Sequence, residues 1–201
     1  MLATLRRLPA FHNATASGAG FRVESTLLDG LGELGGRTVG LVGYGAIPQI
    51  LAPILTAFGC RVIFCARTPR PGSVTLQDLL AQADIVSLHV PLTPQTSRMI
   101  DAAALAQMKP GAILINTARG GLVDQCALID ALQSGQLAGA GLDVFDPEPP
   151  HATEPLLALP NVVLTPHIAW LTTGTFDRSF ALAAQNCRRL QAEEELLHRV
   201  V

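Results

Sequence analysis

Long apolar runs are absent from this sequence, and charged residues are scarce. No run reaches the roughly 18 residues that a bilayer-spanning helix needs, so there is no transmembrane candidate. Charged residues make up only 15% of the chain. That share is low for an isolated soluble domain and indicates apolar surface at an interface or against a neighbouring domain. The net charge of −2 favours neither nucleic acid nor a membrane surface as a partner.

Regular cysteine spacing is lacking as well. None of the four cysteines stands at a distance typical of a metal or redox motif. We therefore expect reduced structural thiols, no metal site and a cytoplasmic protein.

Short apolar runs alternate with helical stretches from residue 37 onward, and 49% apolar residues supply a sizeable core. The pattern predicts strands at 38–43, 61–65, 84–88, 112–116, 138–143 and 162–165. It predicts helices at 46–57, 75–81, 101–107, 124–133 and 172–192. Asp124 is a candidate N-cap, and Gly135 lies just past the end of that helix. Such alternation is typical of an α/β fold with a doubly wound parallel sheet.

The segment VGLVGYGAIP, residues 39–48, runs from an apolar strand into a glycine-rich turn and a helix. Gly43 and Gly45 keep the first two glycines of the G-x-G-x-x-G dinucleotide fingerprint, one for a tight turn and one for close approach to a pyrophosphate. Pro48 replaces the third glycine, at a place in the first helical turn where a missing N–H is tolerated. The sequence therefore predicts a dinucleotide site here.

The first 36 residues stand outside this alternation. The stretch up to Phe21 contains arginine, serine and threonine but no acid, which suits a mitochondrial transit peptide. The alternative, which we favour, is a helix over LATLRRL ended by Pro9 and followed by an irregular arm. We divide the chain into a lead-in helix and arm at 1–36, a dinucleotide-binding domain at 37–170, and a C-terminal helix and tail at 171–201.

Four further motifs occur in order: ADIVSLHVPLTPQT at 83–96, NTARGGLVD at 116–124, GLDVFDPEP at 141–149 and TPHIAW at 165–170. Together they resemble the signatures of the D-isomer-specific 2-hydroxyacid dehydrogenases. The resemblance runs from about residue 2 to the C-terminus, and HIAW rather than HIGS is more typical of glycerate and hydroxypyruvate reductase-like members. It implies a Rossmann domain that binds NAD(P) and reduces short 2-oxo acids.

The resemblance implies catalytic roles for three residues. Arg119 matches the substrate arginine, whose planar fork suits a carboxylate. His167 matches the acid/base, and Glu148 matches the carboxylate that orients it and raises its pKa. The alternatives are a surface salt bridge for Arg119, a structural role for His167 and a solvated side chain for Glu148. The family usually has Glu and Arg at positions where this chain has Gly174 and Phe176, which weakens the support for the histidine.

The cofactor site that the resemblance implies is larger. Asp143 matches the residue that meets the nicotinamide carboxamide, with an ordinary cap as the alternative. The other cofactor-binding candidates are Gly43, Gly45, Ala46, Ile47, Arg67, Thr68, Val90, Pro91, Thr96, Thr117 and Ala118. No acid follows the second strand to hold a ribose 2′-hydroxyl, whereas Arg67 and Arg70 stand there and suit a 2′-phosphate. We therefore predict NADP(H) over NAD(H), unless these arginines are solvated and the site accepts both.

The resemblance also implies a separate substrate domain built largely from residues ahead of the cofactor domain, and we expect this chain to be an N-terminally truncated member. The resemblance implies a homodimer formed through the cofactor domain and its arm. It also leads us to expect cofactor binding with poor turnover unless a partner supplies the other half, because the second domain completes the water-free cleft. The alternative functions are a nucleotide-binding module that acts through protein interaction and a decayed fragment without function.

Overall fold

The structure, a computed structural model, describes residues 1–20 and 30–199. The chain divides into two compact units, Met1–Pro166 and His167–Val201. The first unit contains the sheet, and the second contains one long helix. The three-part division made from the sequence stays a prediction.

Two short helices begin the first unit: α1 at Leu2–Leu5 and α2 at Leu8–Ala16. The single helix predicted over LATLRRL is therefore wrong in its extent. Arg7 takes a left-handed conformation (φ 47°) that breaks the run, and Pro9 lies in the first turn of α2 rather than after a helix. A proline is tolerated there because the first-turn N–H groups have no intrahelical acceptor.

Strands and helices then alternate through the first unit. The strands are β1 Thr38–Val42, β2 Arg61–Cys65, β3 Ile85–Leu88, β4 Ala112–Asn116, β5 Leu137–Leu142 and β6 Val162–Leu164. The helices are α3 Ala46–Ala57, α4 Leu76–Gln82, α5 Ala102–Gln107 and α6 Gln125–Gln133, with short 3₁₀ turns at Gly120–Leu122 and Pro155–Ala158. Every bound of these strands and α-helices lies within one residue of its prediction, whereas the two 3₁₀ turns were not predicted.

The six strands form one parallel sheet in the order β2-β1-β3-β4-β5-β6. Every residue of β1, β3 and β4 is buried, as expected for strands covered by helices on both faces. Leu5 and Leu34 from the N-terminal segment join the core cluster around β1 and α3. The predicted doubly wound α/β fold is confirmed.

Polar caps explain why three of the helices begin where they do. Thr75, Asp101 and Asp124 each accept a hydrogen bond from the backbone N–H three residues on, at 3.0, 2.9 and 3.1 Å. Each bond satisfies one of the N–H groups that a helix N-terminus leaves without an intrahelical acceptor. The structure thus places Asp124 as the cap predicted from the sequence.

The second unit contains α7, Thr175–Gln191, which starts three residues later than predicted. The segment after α7 is held by Asn186, whose side chain bonds both backbone groups of Leu197 at 2.9 and 3.2 Å. An ion pair joins Arg189 to Glu194 at 3.3 Å. Over the described residues of both units, no helix combines the length and apolar character needed to span a bilayer.

Candidate cofactor and active site

Three turns meet at the carboxyl edge of the sheet, where the chain leaves β1 for β2 on one side and later returns to β3 on the other. Such a switch point is where doubly wound folds bind ligands. The turns line a cavity of about 690 Å³, which falls within the range of about 300–1,000 Å³ usual for ligand pockets. Its lining comes from Gly45–Pro48, from Leu88–Leu92 and from Thr117–Arg119.

Gly43 holds the turn after β1 against the end of β3. Its φ of +95° is in the region that favours glycine, and an added Cβ would lie 2.6 Å from the carbonyl oxygen of His89. Its N–H donates to the carbonyl of Cys65 at 3.0 Å, which ties the turn to β2. Glycine is therefore required at position 43 for both conformation and space.

Gly45 is the N-cap of α3 and has no side chain to occupy the N–H groups of the first helical turn. A Cβ added at Gly45 would meet no atom within 4 Å, so a larger residue would project into open space beside the cavity. Pro48 is buried in that first turn. An uncapped helix N-terminus beside a glycine cradle suits a pyrophosphate, so these residues fit a dinucleotide.

The loop after β3 is braced by Thr96, whose hydroxyl donates to the carbonyl of Pro91 at 2.7 Å and accepts from the N–H of Thr93 at 2.8 Å. Val90 and Pro91 line the cavity. Thr96 does not line it and instead sets the shape of the loop that does. His89 also lines the cavity, and burial lowers the pKa of its imidazole.

The turn after β4 is clamped by one buried amide. Asn116 donates from Nδ2 to the carbonyl of Arg119 at 2.8 Å and accepts at Oδ1 from the N–H of Ala118 at 3.1 Å. Thr117 and Ala118 line the cavity between these two bonds. The clamp leaves the guanidinium of Arg119 exposed at the cavity wall, where Nη1 donates to the carbonyl of Ala118 at 2.6 Å.

The loop after β5 lies directly against the Arg119 turn. A Cβ added at Gly120 would lie 2.0 Å from the carbonyl oxygen of Phe145, so the two backbones touch. In the same loop Glu148 accepts a hydrogen bond at Oε1 from the N–H of Phe145 at 2.9 Å. The structure therefore brings the turn of Arg119 and the loop of Glu148 together.

Asp143 follows β5 and is only 2% exposed. Its carboxylate accepts a hydrogen bond from the hydroxyl of Thr165, which follows β6, and its N–H donates to the carbonyl of Asn116 at 3.0 Å. Asp143 thus links the ends of β4, β5 and β6. It does not line the cavity.

Arg67, Thr68 and Arg70 are exposed in the turn after β2 and lie outside the cavity lining. Ser73 fixes this turn, because its hydroxyl donates to the carbonyl of Arg70 at 2.7 Å and accepts from the N–H of Arg70 at 3.0 Å. Both arginines therefore stand on a folded turn at the carboxyl end of β2, the position at which such folds contact the 2′ group of the cofactor ribose.

His167 begins the second unit with a left-handed backbone (φ 56°). The indole Nε1 of Trp170 donates to its carbonyl at 2.9 Å. Phe176 packs edge-on against Trp170, with ring centroids 6.0 Å apart. This aromatic pair supports the backbone of the histidine. The contact between the side chains of His167 and Glu148 stays a prediction.

Of the predicted cofactor residues, those lining the cavity are Gly45, Ala46, Ile47, Val90, Pro91, Thr117 and Ala118. The sequence alone assigns no role to His89, which lines the cavity, or to Asn116, which holds the Arg119 turn. The signal for His89 was its place directly after a buried strand. The signal for Asn116 was its place as the first residue of the motif NTARGGLVD, which also contains Arg119.

Comparison with known proteins identifies the fold and the family. The model of the NAD binding domain of the D-isomer specific 2-hydroxyacid dehydrogenases matches residues 1–169. A glycerate dehydrogenase from Methylorubrum extorquens is 48% identical over 140 residues, covering 69% of this chain and 45% of that protein. A glyoxylate reductase from Thermococcus litoralis is 47% identical over 161 residues, covering 76% of this chain and 48% of that protein.

Among solved structures, the TT0316 protein from Thermus thermophilus superposes with a TM-score of 0.89 at 46% identity, covering 100% of this chain and 65% of that chain. The chain spans about half the length of the curated relatives it matches. The family resemblance seen in the motifs is confirmed: the chain belongs to the D-isomer specific 2-hydroxyacid dehydrogenases, and residues 1–169 correspond to their NAD-binding domain.

Proposed function

We propose that the protein transfers a hydride between a nicotinamide dinucleotide and a short 2-oxo acid of the glyoxylate or hydroxypyruvate type. The observation that carries this proposal is the contact between the Glu148 loop and the Arg119 turn, which lines the cavity and is held by the Asn116 clamp. The names of the matched relatives, glycerate dehydrogenase and glyoxylate reductase, support the same substrate class.

Each of the three candidate catalytic side chains has its own role in this reaction. When bound, the nicotinamide supplies or accepts the hydride. The guanidinium of Arg119 stays charged and binds the substrate carboxylate, which fixes the position of the neighbouring carbonyl. His167 donates a proton to the carbonyl oxygen during reduction and removes it during oxidation. Glu148 is the carboxylate that we propose to orient this histidine.

The test is oxidation of NADPH or NADH by glyoxylate and hydroxypyruvate, followed by nicotinamide absorbance. We expect His167→Asn to lower kcat about 100-fold or more, because a positioned acid/base contributes at least that much. Arg119→Lys should raise KM, since an ammonium cannot hold a carboxylate bidentately. His151→Asn, in the same Pro-rich loop as Glu148, is the control and should behave as wild type. A chain that binds NADPH without oxidising it would favour the binding-module alternative.

For the cofactor we propose a preference for NADP(H). Arg67, Thr68 and Arg70 offer two guanidinium groups and a hydroxyl on a turn that Ser73 holds in place. The family match supports NAD binding in general, and this turn supports the choice of the 2′-phosphorylated form. Guanidinium groups pair with phosphate, and the turn directly after β2 contains no carboxylate to repel it.

Measuring the dissociation constants of NADPH and NADH tests this preference. Replacing Arg67 and Arg70 by serine should weaken NADPH binding about tenfold or more and leave NADH unchanged, because only NADPH loses charge-assisted bonds. Arg61→Ser, at the other end of β2, is the matched control. Tighter binding of NADH by the wild-type chain would refute the preference.

We also propose a cytoplasmic homodimer that associates through α3. This helix has no charged residue, yet Ile50 and Ile54 on one side of it are 68% and 49% exposed, and Phe58 directly after its end is 51% exposed. One face of a surface helix packs on its own sheet. Where the other face is apolar as well, that face is suited to contact another protein surface. A second copy supplies the same uncharged face in a self-complementary twofold contact.

Sedimentation analysis tests the dimer. We expect twice the chain mass of 21.2 kDa for the wild type and a monomer for Ile54→Arg, because the new charge would be buried in the contact. Thr56→Arg, on the opposite side of α3, is the control and should remain dimeric. A wild-type chain that sediments as a monomer at micromolar concentration would contradict the proposal.

A further inference from the structure

A histidine and a serine at the end of β3 form a pair that the proposed reaction does not use. The hydroxyl of Ser87 lies 3.0 Å from Nε2 of His89. Ser87 is only 1% exposed, whereas His89 is half-buried and lines the cavity at the switch point. Ser87 lies in β3 and His89 comes directly after the strand, where its N–H donates to the carbonyl of Val42 in β1 at 2.7 Å.

The burial of Ser87 decides which atom carries the hydrogen between them. Over the described residues, the hydroxyl has no hydrogen-bond partner other than Nε2 of His89. If the ring donated from Nε2, the hydroxyl hydrogen would be buried without an acceptor, which costs free energy. The hydroxyl therefore donates, and Nε2 accepts.

The tautomer of the ring follows from that assignment. A neutral imidazole carries one hydrogen, so an accepting Nε2 places it on Nδ1. Burial lowers the pKa of His89 from 6.5, which keeps the ring neutral at pH 7. Among residues 1–20 and 30–199, no group accepts a hydrogen bond from Nδ1. The result is a fixed donor, without a protein acceptor, on a residue that lines the cavity.

The surroundings of His89 indicate what would accept that hydrogen. Its backbone carbonyl is the atom that Gly43 approaches, so it lies beside the glycine turn at the N-terminus of α3. A dinucleotide on this turn presents phosphate and ribose oxygens, which are acceptors. A donor with its hydrogen already in place binds such an oxygen without the cost of changing tautomer.

We propose that His89 is a cofactor-binding residue whose Nδ1–H donates to a phosphate or ribose oxygen of the bound dinucleotide, and that Ser87 is the positioning residue that keeps the hydrogen on Nδ1. This inference rests on the proposed nicotinamide site and adds a contact to it. It assigns a role to a histidine outside the three catalytic candidates.

Two isosteric replacements test the contact, because the asparagine amide nitrogen falls near Nδ1 and that of glutamine near Nε2. We expect His89→Asn to keep the wild-type dissociation constant for NADPH. His89→Gln should weaken binding roughly two- to tenfold, the effect of losing one neutral hydrogen bond. Competition by ADP-ribose and AMP then locates the acceptor, since only a fragment that contains it will show the same loss. Equal affinities for wild type, His89→Asn and His89→Gln overturn the role of His89.

Nitrogen-15 NMR of the histidine rings tests the contact without relying on a variant that folds poorly. We expect the wild-type His89 signals to show a protonated Nδ1 that shifts on addition of NADPH, and Ser87→Ala to show a mixture of tautomers. A ring protonated on Nε2, or one that NADPH leaves unshifted, overturns the proposal. A wild-type chain that binds neither NADPH nor NADH would refute the proposed function as well, whereas binding without a His89 response would refute only this inference.

Discussion

Substitution of Gly120 by alanine should damage the site more than its size suggests. An added Cβ would lie 2.0 Å from the carbonyl oxygen of Phe145 and 2.1 Å from its carbon, whereas ordinary contact begins at 3.4 Å. The Arg119 turn and the Glu148 loop must therefore separate by about 1.4 Å, the difference between 3.4 and 2.0 Å. Both neighbours are backbone atoms, so no side-chain rotation relieves the clash.

The expected cost has two parts. Overpacking of this kind destabilises a domain by about 1–3 kcal/mol, and each kcal/mol lowers Tm by about 2–4 °C in a chain of this size. Displacement of Arg119 from Glu148 should also lower the turnover of 2-oxo acids about 100-fold, because a misplacement of about 1 Å is enough for that loss. Binding of NADPH should change less, since Gly120 does not line the cavity.

The neighbouring glycine provides a matched control. A Cβ at Gly121 would lie 3.1 Å from a methyl group of Leu92, the flexible end of a side chain. Thermal unfolding and turnover should therefore be close to wild type in Gly121→Ala and clearly lower in Gly120→Ala. Equal melting temperatures for the two variants would refute the steric argument.

Three further outcomes follow from the structure. Gly43→Ala should abolish dinucleotide binding measured by fluorescence, because its Cβ would meet the carbonyl oxygen of His89; retained binding would contradict this. Ser73→Ala should weaken NADPH but not NADH, because it frees the turn of Arg70; equal changes in both constants would contradict it. Burial would raise the pKa of Asp84, but hydrogen bonds from the Thr38 N–H and from Lys109, with the positive charges of Lys109 and Arg37, lower it. Urea unfolding should therefore show Asp84→Asn less stable than wild type at pH 7, and the difference in unfolding free energy should disappear as the pH falls below about 4. A difference that grows in acid would contradict a lowered pKa for Asp84.

The helices and strands of the sheet could be predicted because each boundary has a local chemical cause. Strands buried on both faces must be continuously apolar, and residues such as Asp101 and Asp124 mark the helix starts with their own side chains. The N-terminal helix was predicted wrongly for a reason equally local. Proline ends a helix or begins one, and the sequence alone does not reveal the left-handed backbone at Arg7 that decides between them.

The site was predicted less completely than the fold, since its geometry depends on contacts between turns distant in sequence. A motif names Arg119 but not the clamp by Asn116, whose two bonds give the turn its shape. Likewise, the contact between Gly120 and Phe145 joins two motifs that the sequence presents separately. Site residues such as Arg119 can therefore be assigned from motifs. The contacts that position them can be identified only once the pairing of β4 with β5 is known.

The same dependence explains why His89 escaped the sequence interpretation. Gly43 is recognisable as a fingerprint glycine from its own neighbours, but the atom that excludes a side chain there is the carbonyl of His89. That atom comes close because β1 pairs with β3, the neighbour across the switch point. A side chain at position 43 would push the turn after β1 away from the loop that carries His89. The absence of a side chain at Gly43 thus keeps the two loops in contact, and the proposed bond from His89 to the cofactor depends on that contact.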